Sequence, residues 1–127
     1  MNGFYYLLLG LCLFNFSCNE SENKKVDVGF SSAVAADGEQ LFKANCYQCH
    51  RAVENFVAPP LAGAGKKWQD KETLYAFIRN SQEVIKSNKY AADLYRKWNN
   101  QYMQPFPDLT DKQIEAILAY CDAQLVK

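Results

Sequence analysis

Histidine is almost absent from this chain of 127 residues: His50 is the only one, and Met103 is the only methionine after Met1. Metal chemistry that calls on imidazole or thioether therefore has no choice of ligand. A surplus of either charge is missing too, with 14 Lys and Arg against 14 Asp and Glu. That excludes a strongly basic nucleic-acid binder, which must neutralise phosphates with excess Lys and Arg. Aromatic residues make up 14% of the chain, which excludes an acidic disordered protein. No apolar run reaches the ~18 residues of a membrane-spanning helix. The length fits one globular domain, at roughly 100–200 residues per domain, and no internal repeat is visible.

What is present begins with a targeting pattern. Phe4 to Phe16 is apolar, interrupted only by Gly10, Cys12 and Asn15. It is too short to span a bilayer but suits the apolar region of a signal peptide, although Met1-Asn2-Gly3 lacks the usual Lys or Arg. Ser17-Cys18 then puts a small residue before a cysteine, with polar Asn19 to Asn23 following. This is similar to a bacterial lipoprotein signal, whose cysteine is acylated and becomes the mature N-terminus. The expectation is a signal peptide over 1–17 and lipid attachment at Cys18. Export to the periplasmic side of the cell envelope follows, with acyl chains holding the protein on a membrane surface. Cys12 fits less well because it lies inside the apolar run after Leu11. Cleavage after Ala33-Val34-Ala35 would fall 19 residues beyond Phe16, and a plain uncleaved anchor is the third alternative. Residues 18–36 hold few large apolar side chains and read as a flexible tether. The folded unit is then 37–127.

Within it, Cys46-Tyr47-Gln48-Cys49-His50 has the C-x-x-C-H pattern of c-type haem attachment. Two thiols three residues apart lie on one side of a helical turn and reach the two vinyl groups of one porphyrin. The adjacent imidazole comes up beneath the iron. A redox C-x-x-C would expect a βαβ neighbourhood, whereas the flanks here read as helix. A structural zinc site would need further ligands, and no second His exists.

The rest of the unit reads as all-α, with about four to five helices. Residues 37–45 form a short helix ahead of the motif, with Asp37 as a natural N-cap. Asp70 to about Ile85 looks like one helix with Leu74, Phe77 and Ile78 on a face, and Tyr90, Ala91, Leu94, Tyr95 and Trp98 mark another. Thr110-Asp111-Lys112-Gln113 is a capping box, and Ile114, Ile117, Leu118, Cys121 and Leu125 follow as the apolar stripe of a last helix. Cys121 on that stripe reads as a buried free thiol.

Taken together, 38–122 resembles the class I cytochromes c, small all-α carriers of one covalently bound haem c. Gly38 and Phe42 on the first helix and Tyr120 on the last match the family's crossing of terminal helices. Ala58-Pro59-Pro60-Leu61-Ala62-Gly63 matches its Gly-Pro-x-Leu-x-Gly loop, with Ala58 where the family has Gly. The resemblance implies that the Pro59 carbonyl accepts a hydrogen bond from the ligating His50. It also implies Met103 as the sixth iron ligand, in the proline-rich loop before the last helix where the family carries its distal Met. That Met103 is the only methionine left after the signal agrees with this. Trp68 and Tyr75 are candidates for a haem propionate, with plain packing as the better reading of each.

The implied function is one-electron transfer between redox partners such as a quinol-oxidising complex and a terminal oxidase, with no small-molecule substrate. Lys66 to Lys97 holds eight basic and four acidic residues and Gln104 to Lys127 two and four, so a basic and an acidic side are expected to steer encounters. One alternative is a haem sensor or peroxidase-like protein with a labile sixth ligand, although a distal His is absent. A fixed cytochrome subunit of a larger respiratory complex is another.

Overall fold

The computed structural model describes residues 37–126. The expected signal peptide, Cys18 and the tether lie outside the described residues. Among those residues there are five α-helices and no strand. They are α1 (37–45), α2 (Lys71–Arg79), α3 (Ser81–Ser87), α4 (Lys89–Lys97) and α5 (Asp111–Ala123). Short 3₁₀ turns occupy Ala64–Lys66 and Gln124–Val126. No described helix is long and apolar enough to cross a membrane.

α1 and α5 cross in contact. A Cβ on Gly38 would lie 2.1 Å from the Ala116 carbonyl oxygen, so only glycine lets the two backbones come this close. One turn on, the rings of Phe42 and Tyr120 pack with centroids 5.6 Å apart. Phe42, Ile114, Ile117 and Cys121 are buried at this crossing and continue into a core with Trp68, Leu74, Tyr75, Ala91 and Leu109. Asp37 is already helical, so it does not occupy the N-cap position expected of it. Glu39 and Lys43, one turn apart, form an ion pair at 2.7 Å.

The helix expected from Asp70 to Ile85 is two helices. Asp70 caps the first, its carboxylate accepting from the Thr73 amide at 2.6 Å. At Asn80 the backbone leaves helical geometry (φ −156°, ψ 85°), ending α2 and starting α3. Apolar residues continue at helical spacing across the break, which hides it from a periodicity reading. Asn88 caps α4 through the Ala91 amide. Asn99 and Asn100, both at positive φ, then turn the chain into the segment 101–110; asparagine tolerates this region better than most residues. The capping box at Thr110 and Gln113 forms as its spacing predicts. Leu125 departs from the stripe: α5 ends at Ala123, and the tighter turn that follows leaves Leu125 60% exposed.

Candidate haem site

The α1 helix runs into a turn over 46–49, where the His50 amide bonds the Cys46 carbonyl at 2.8 Å. That turn puts Cys46, Cys49 and His50 along one wall of a cavity of about 320 Å³. Pro59 and Met103 line the same cavity, so all five residues singled out as cofactor contacts come together. Leu61, Trp68, Phe77, Ile78, Leu94 and Ile117 supply much of the remaining apolar wall.

The imidazole is held from behind. His50 Nδ1 donates to the Pro59 carbonyl oxygen at 2.6 Å. A carbonyl only accepts, so the proton sits on Nδ1 and Nε2 keeps its lone pair for a metal. Burial lowers the His50 pKa, with the Pro59 bond opposing it in part; the net lowering favours the neutral ring, and the bond fixes which nitrogen carries its proton. Burial also pushes the Cys46 thiol up to about 11.

The Pro59 loop is fastened by backbone bonds to the motif segment. The Ala58 amide donates to Cys49 O at 3.0 Å, Leu61 to Arg51 O at 3.1 Å and Ala62 to Ala52 O at 2.8 Å. Ala58 is not among the described residues with positive φ, so a Cβ is tolerated there. Gly63 does need the left-handed region, at φ +72°, and its amide donates to the Asp122 carboxylate of α5 at 2.6 Å. Asp122 was not singled out from sequence, because nothing local marks a carboxylate 59 positions away as the loop's partner.

Met103 is fastened differently. Its carbonyl accepts from the hydroxyl of Ser81, the first residue of α3, at 3.2 Å. Further along, the Phe106 amide donates to Arg79 O, and Arg79 Nε donates to Leu109 O. Ser81 and Arg79 were likewise missed, since their partners lie more than twenty residues downstream.

Of the aromatic donors considered, Tyr75 is buried and spends its hydroxyl on Glu115 at 3.1 Å, which agrees with packing. Trp68 packs against Phe77 at a tilt and edge-on against Tyr90 at the cavity wall. Cys121 is fully buried, its thiol pushed up to about 12 chiefly by desolvation. No group of three or more His, Cys, Asp or Glu among the described residues is arranged to hold a metal ion on its own. The donor set fits a haem instead: two thiols to bond its periphery, one imidazole with a free nitrogen, and an apolar wall.

A family model described as Cytochrome c matches residues 35–123. The chain belongs to the cytochrome c family. It is 34% identical to cytochrome c6 of Cyanidioschyzon merolae over 96 residues, which cover 76% of this chain and 80% of that protein. Among solved structures, a cytochrome c from Rhodothermus marinus shares 28% identity at a TM-score of 0.59, covering 72% of this chain and 77% of the other. An engineered form of the Rhodothermus protein, bound to a carbene intermediate, shares 27% identity at a TM-score of 0.58, covering 76% and 80%. As a cytochrome c of this all-α type, the chain carries one covalently bound c-type haem, with Cys46 and Cys49 at the attachment spacing, and is a haem-based electron carrier.

Around the attachment turn several apolar side chains are exposed among polar Gln48, Glu54 and Asn55. Tyr47, Val53, Phe56 and Val57 are all exposed, Phe56 to 50%. The Arg51 guanidinium sits over the rings of Tyr47 and Phe56, at 4.1 and 3.8 Å from their centroids.

Proposed function

We propose that this cytochrome holds its haem iron between His50 and Met103. In this reading it passes single electrons at the bacterial cell envelope, from a quinol-oxidising complex to a terminal oxidase, while tethered to a membrane through lipid on Cys18. The observation that carries the ligand reading is the meeting of Cys46, Cys49, His50 and Met103 in one apolar cavity.

The bound haem supplies a reversible one-electron couple. Pro59 fixes the imidazole of His50 and strengthens it as a donor. The thioether of Met103 favours the reduced state relative to a second imidazole. His50 and Met103 would be the two side chains that hold the iron, and with both bound no position would be left for a small-molecule substrate. The apolar wall keeps water out and disfavours the extra positive charge of the oxidised state. Because the same two side chains serve both oxidation states, little has to move.

Electrons leave where the attachment turn meets solvent, and the exposed Tyr47, Phe56 and Val57 with Arg51 give partners a partly apolar landing surface. The expected basic side is blunted by pairing: Lys71 pairs with Glu115, Arg79 with Asp111, Lys86 with Glu83, and both Lys89 and Arg96 with Asp93. Exposed pairs of this kind contribute little to stability.

Optical spectra of the purified holoprotein, with and without carbon monoxide, test the ligand set. A low-spin c-type spectrum with the red-edge Met–ferric charge-transfer band and no carbon monoxide binding is the expected result. A high-spin component, or ready carbon monoxide binding, would favour the sensor or peroxidase-like reading. For the tether, Cys18→Ser is expected to move the haem protein from the membrane fraction to the soluble one; an unchanged distribution refutes lipidation there.

A further inference from the structure

The break between α2 and α3 is the part of the fold that faces the Met103 segment. Ser81, 1% exposed, donates its hydroxyl to the Met103 carbonyl and lines the haem cavity beside it. On the other side of Asn80, the Arg79 carbonyl is one of the orphan acceptors that every helix end leaves, and it takes the Phe106 amide at 3.1 Å. The Arg79 side chain reaches further, donating Nε to Leu109 O at 2.9 Å and pairing with Asp111 at the start of α5. Three hydrogen bonds and an ion pair thus join residues 79 and 81 to the segment 103–111. Between the two residues Asn80 leaves helical geometry. A continuous helix would turn residues 79 and 81 about 200° apart, on nearly opposite faces.

We infer that Ser81 and Arg79 form a latch that keeps Met103 in its ligating position, so that the α2–α3 break, rather than the Met103 segment itself, governs how readily the sixth position opens. The inference rests on Met103 being the sixth ligand. The segment carries little else to hold it: 101–105 has no regular structure, and Tyr102 is 57% exposed. Ser81 and Arg79 are positioning residues. Neither is assigned to the iron. Their effect is on the equilibrium between a bound and a released thioether, with no net chemistry and no change in electron count.

The test uses the holoprotein and exogenous imidazole as a competing ligand, read by loss of the Met–ferric charge-transfer band. Ser81→Ala is expected to tighten apparent imidazole binding about five-fold, the worth of one net hydrogen bond. Arg79→Met acts in the same direction, and the double variant exceeds either. Circular dichroism and thermal melting of each variant separate a loosened ligand from a damaged fold. If the wild type shows the band and the variants melt lower without any gain in imidazole binding, the residues are merely structural and the latch is refuted. Unchanged melting and unchanged imidazole binding refute it as well. If the wild type lacks the band and Met103→Ala leaves the spectrum as it was, the ligand reading itself fails and the latch falls with it. Imidazole binding that tightens with the band present but weakened at equilibrium supports the latch.

Discussion

The two loops that meet across the haem cavity are built on opposite plans. The His50–Pro59 loop is held by backbone bonds to residues nine or ten positions away, with Asp122 as its one distant side-chain tie. The Met103 segment borrows its order from Arg79 at the end of α2 and Ser81 at the start of α3, through two side-chain bonds and one backbone bond from Phe106. Short-range backbone bonds form as soon as the turn does and are lost only with the turn. Side-chain ties across the fold depend on packing elsewhere and break one at a time. One side of the cavity is therefore a fixed wall. The other is a hinged one.

The largest expected effect follows directly. Replacing Cys49 or His50 removes a covalent or coordinating anchor of the fixed wall, and little holoprotein of native spectrum is expected, as judged by haem staining on denaturing gels. Met103→Ala breaks the hinged wall alone. Haem stays covalently attached, the helical circular dichroism is retained, and the ferrous form gains carbon monoxide binding. Equal loss of holoprotein in both cases would erase the distinction between the walls.

The same contrast decides what was readable from sequence. C-x-x-C-H is contiguous, so spacing alone carries it. The Pro59 loop and the Gly38–Phe42–Tyr120 crossing were legible only through the resemblance to class I cytochromes c, since spacings like those of the crossing can occur in any pair of helices. The Asn80 break was not legible, because Leu74, Phe77, Ile78, Val84 and Ile85 keep a helical rhythm straight through it. Ser81 falls inside the single helix expected there and looks like an ordinary helix serine until the break and its distant partner are known. Asp122 reads as a solvated charge near a C-terminus, where the helix dipole would not recruit it. Local rules mark local bonds, and the hinged wall has few of them.

Next in size is the crossing that both walls lean on. Gly38→Ala forces a Cβ onto the Ala116 carbonyl, and overpacking of this kind costs about 1–3 kcal/mol or more. Denaturant unfolding of the holoprotein measures it. A loss under about 0.5 kcal/mol would mean α1 can slide away from α5 freely, and the crossing would then set no distance between the walls.

Asp122→Ala is expected to cost about 1–3 kcal/mol, because the partly buried Gly63 amide loses its acceptor. The charge-transfer band should survive, since the tie lies on the His50 side. Asp122→Asn keeps an acceptor oxygen and should recover most of the loss. A weakened band in Asp122→Ala would show that the walls are coupled through α5 and not independent.

The smallest effect concerns Tyr75, which anchors α2 to α5 beneath the latch through Glu115. Burial, then the Glu115 carboxylate, raise its pKa to about 12, against about 10 in an unfolded chain. The unfolded state therefore loses this proton first as pH rises. Its contribution to stability is complete below about pH 10 and is lost progressively toward pH 12. Tyr75→Phe removes a hydrogen bond worth about 1 kcal/mol or less, because Glu115 is half exposed and water replaces the donor. Between pH 10 and 12 the variant should lose stability less steeply than the wild type, by melting temperature measured at each pH. Ligand exchange at the iron affects both proteins alike and cancels in the comparison. Equal slopes would mean that Tyr75 ionises in the fold as easily as in the unfolded chain, and that α2, with the latch at its end, is less firmly seated on α5 than the buried ring suggests.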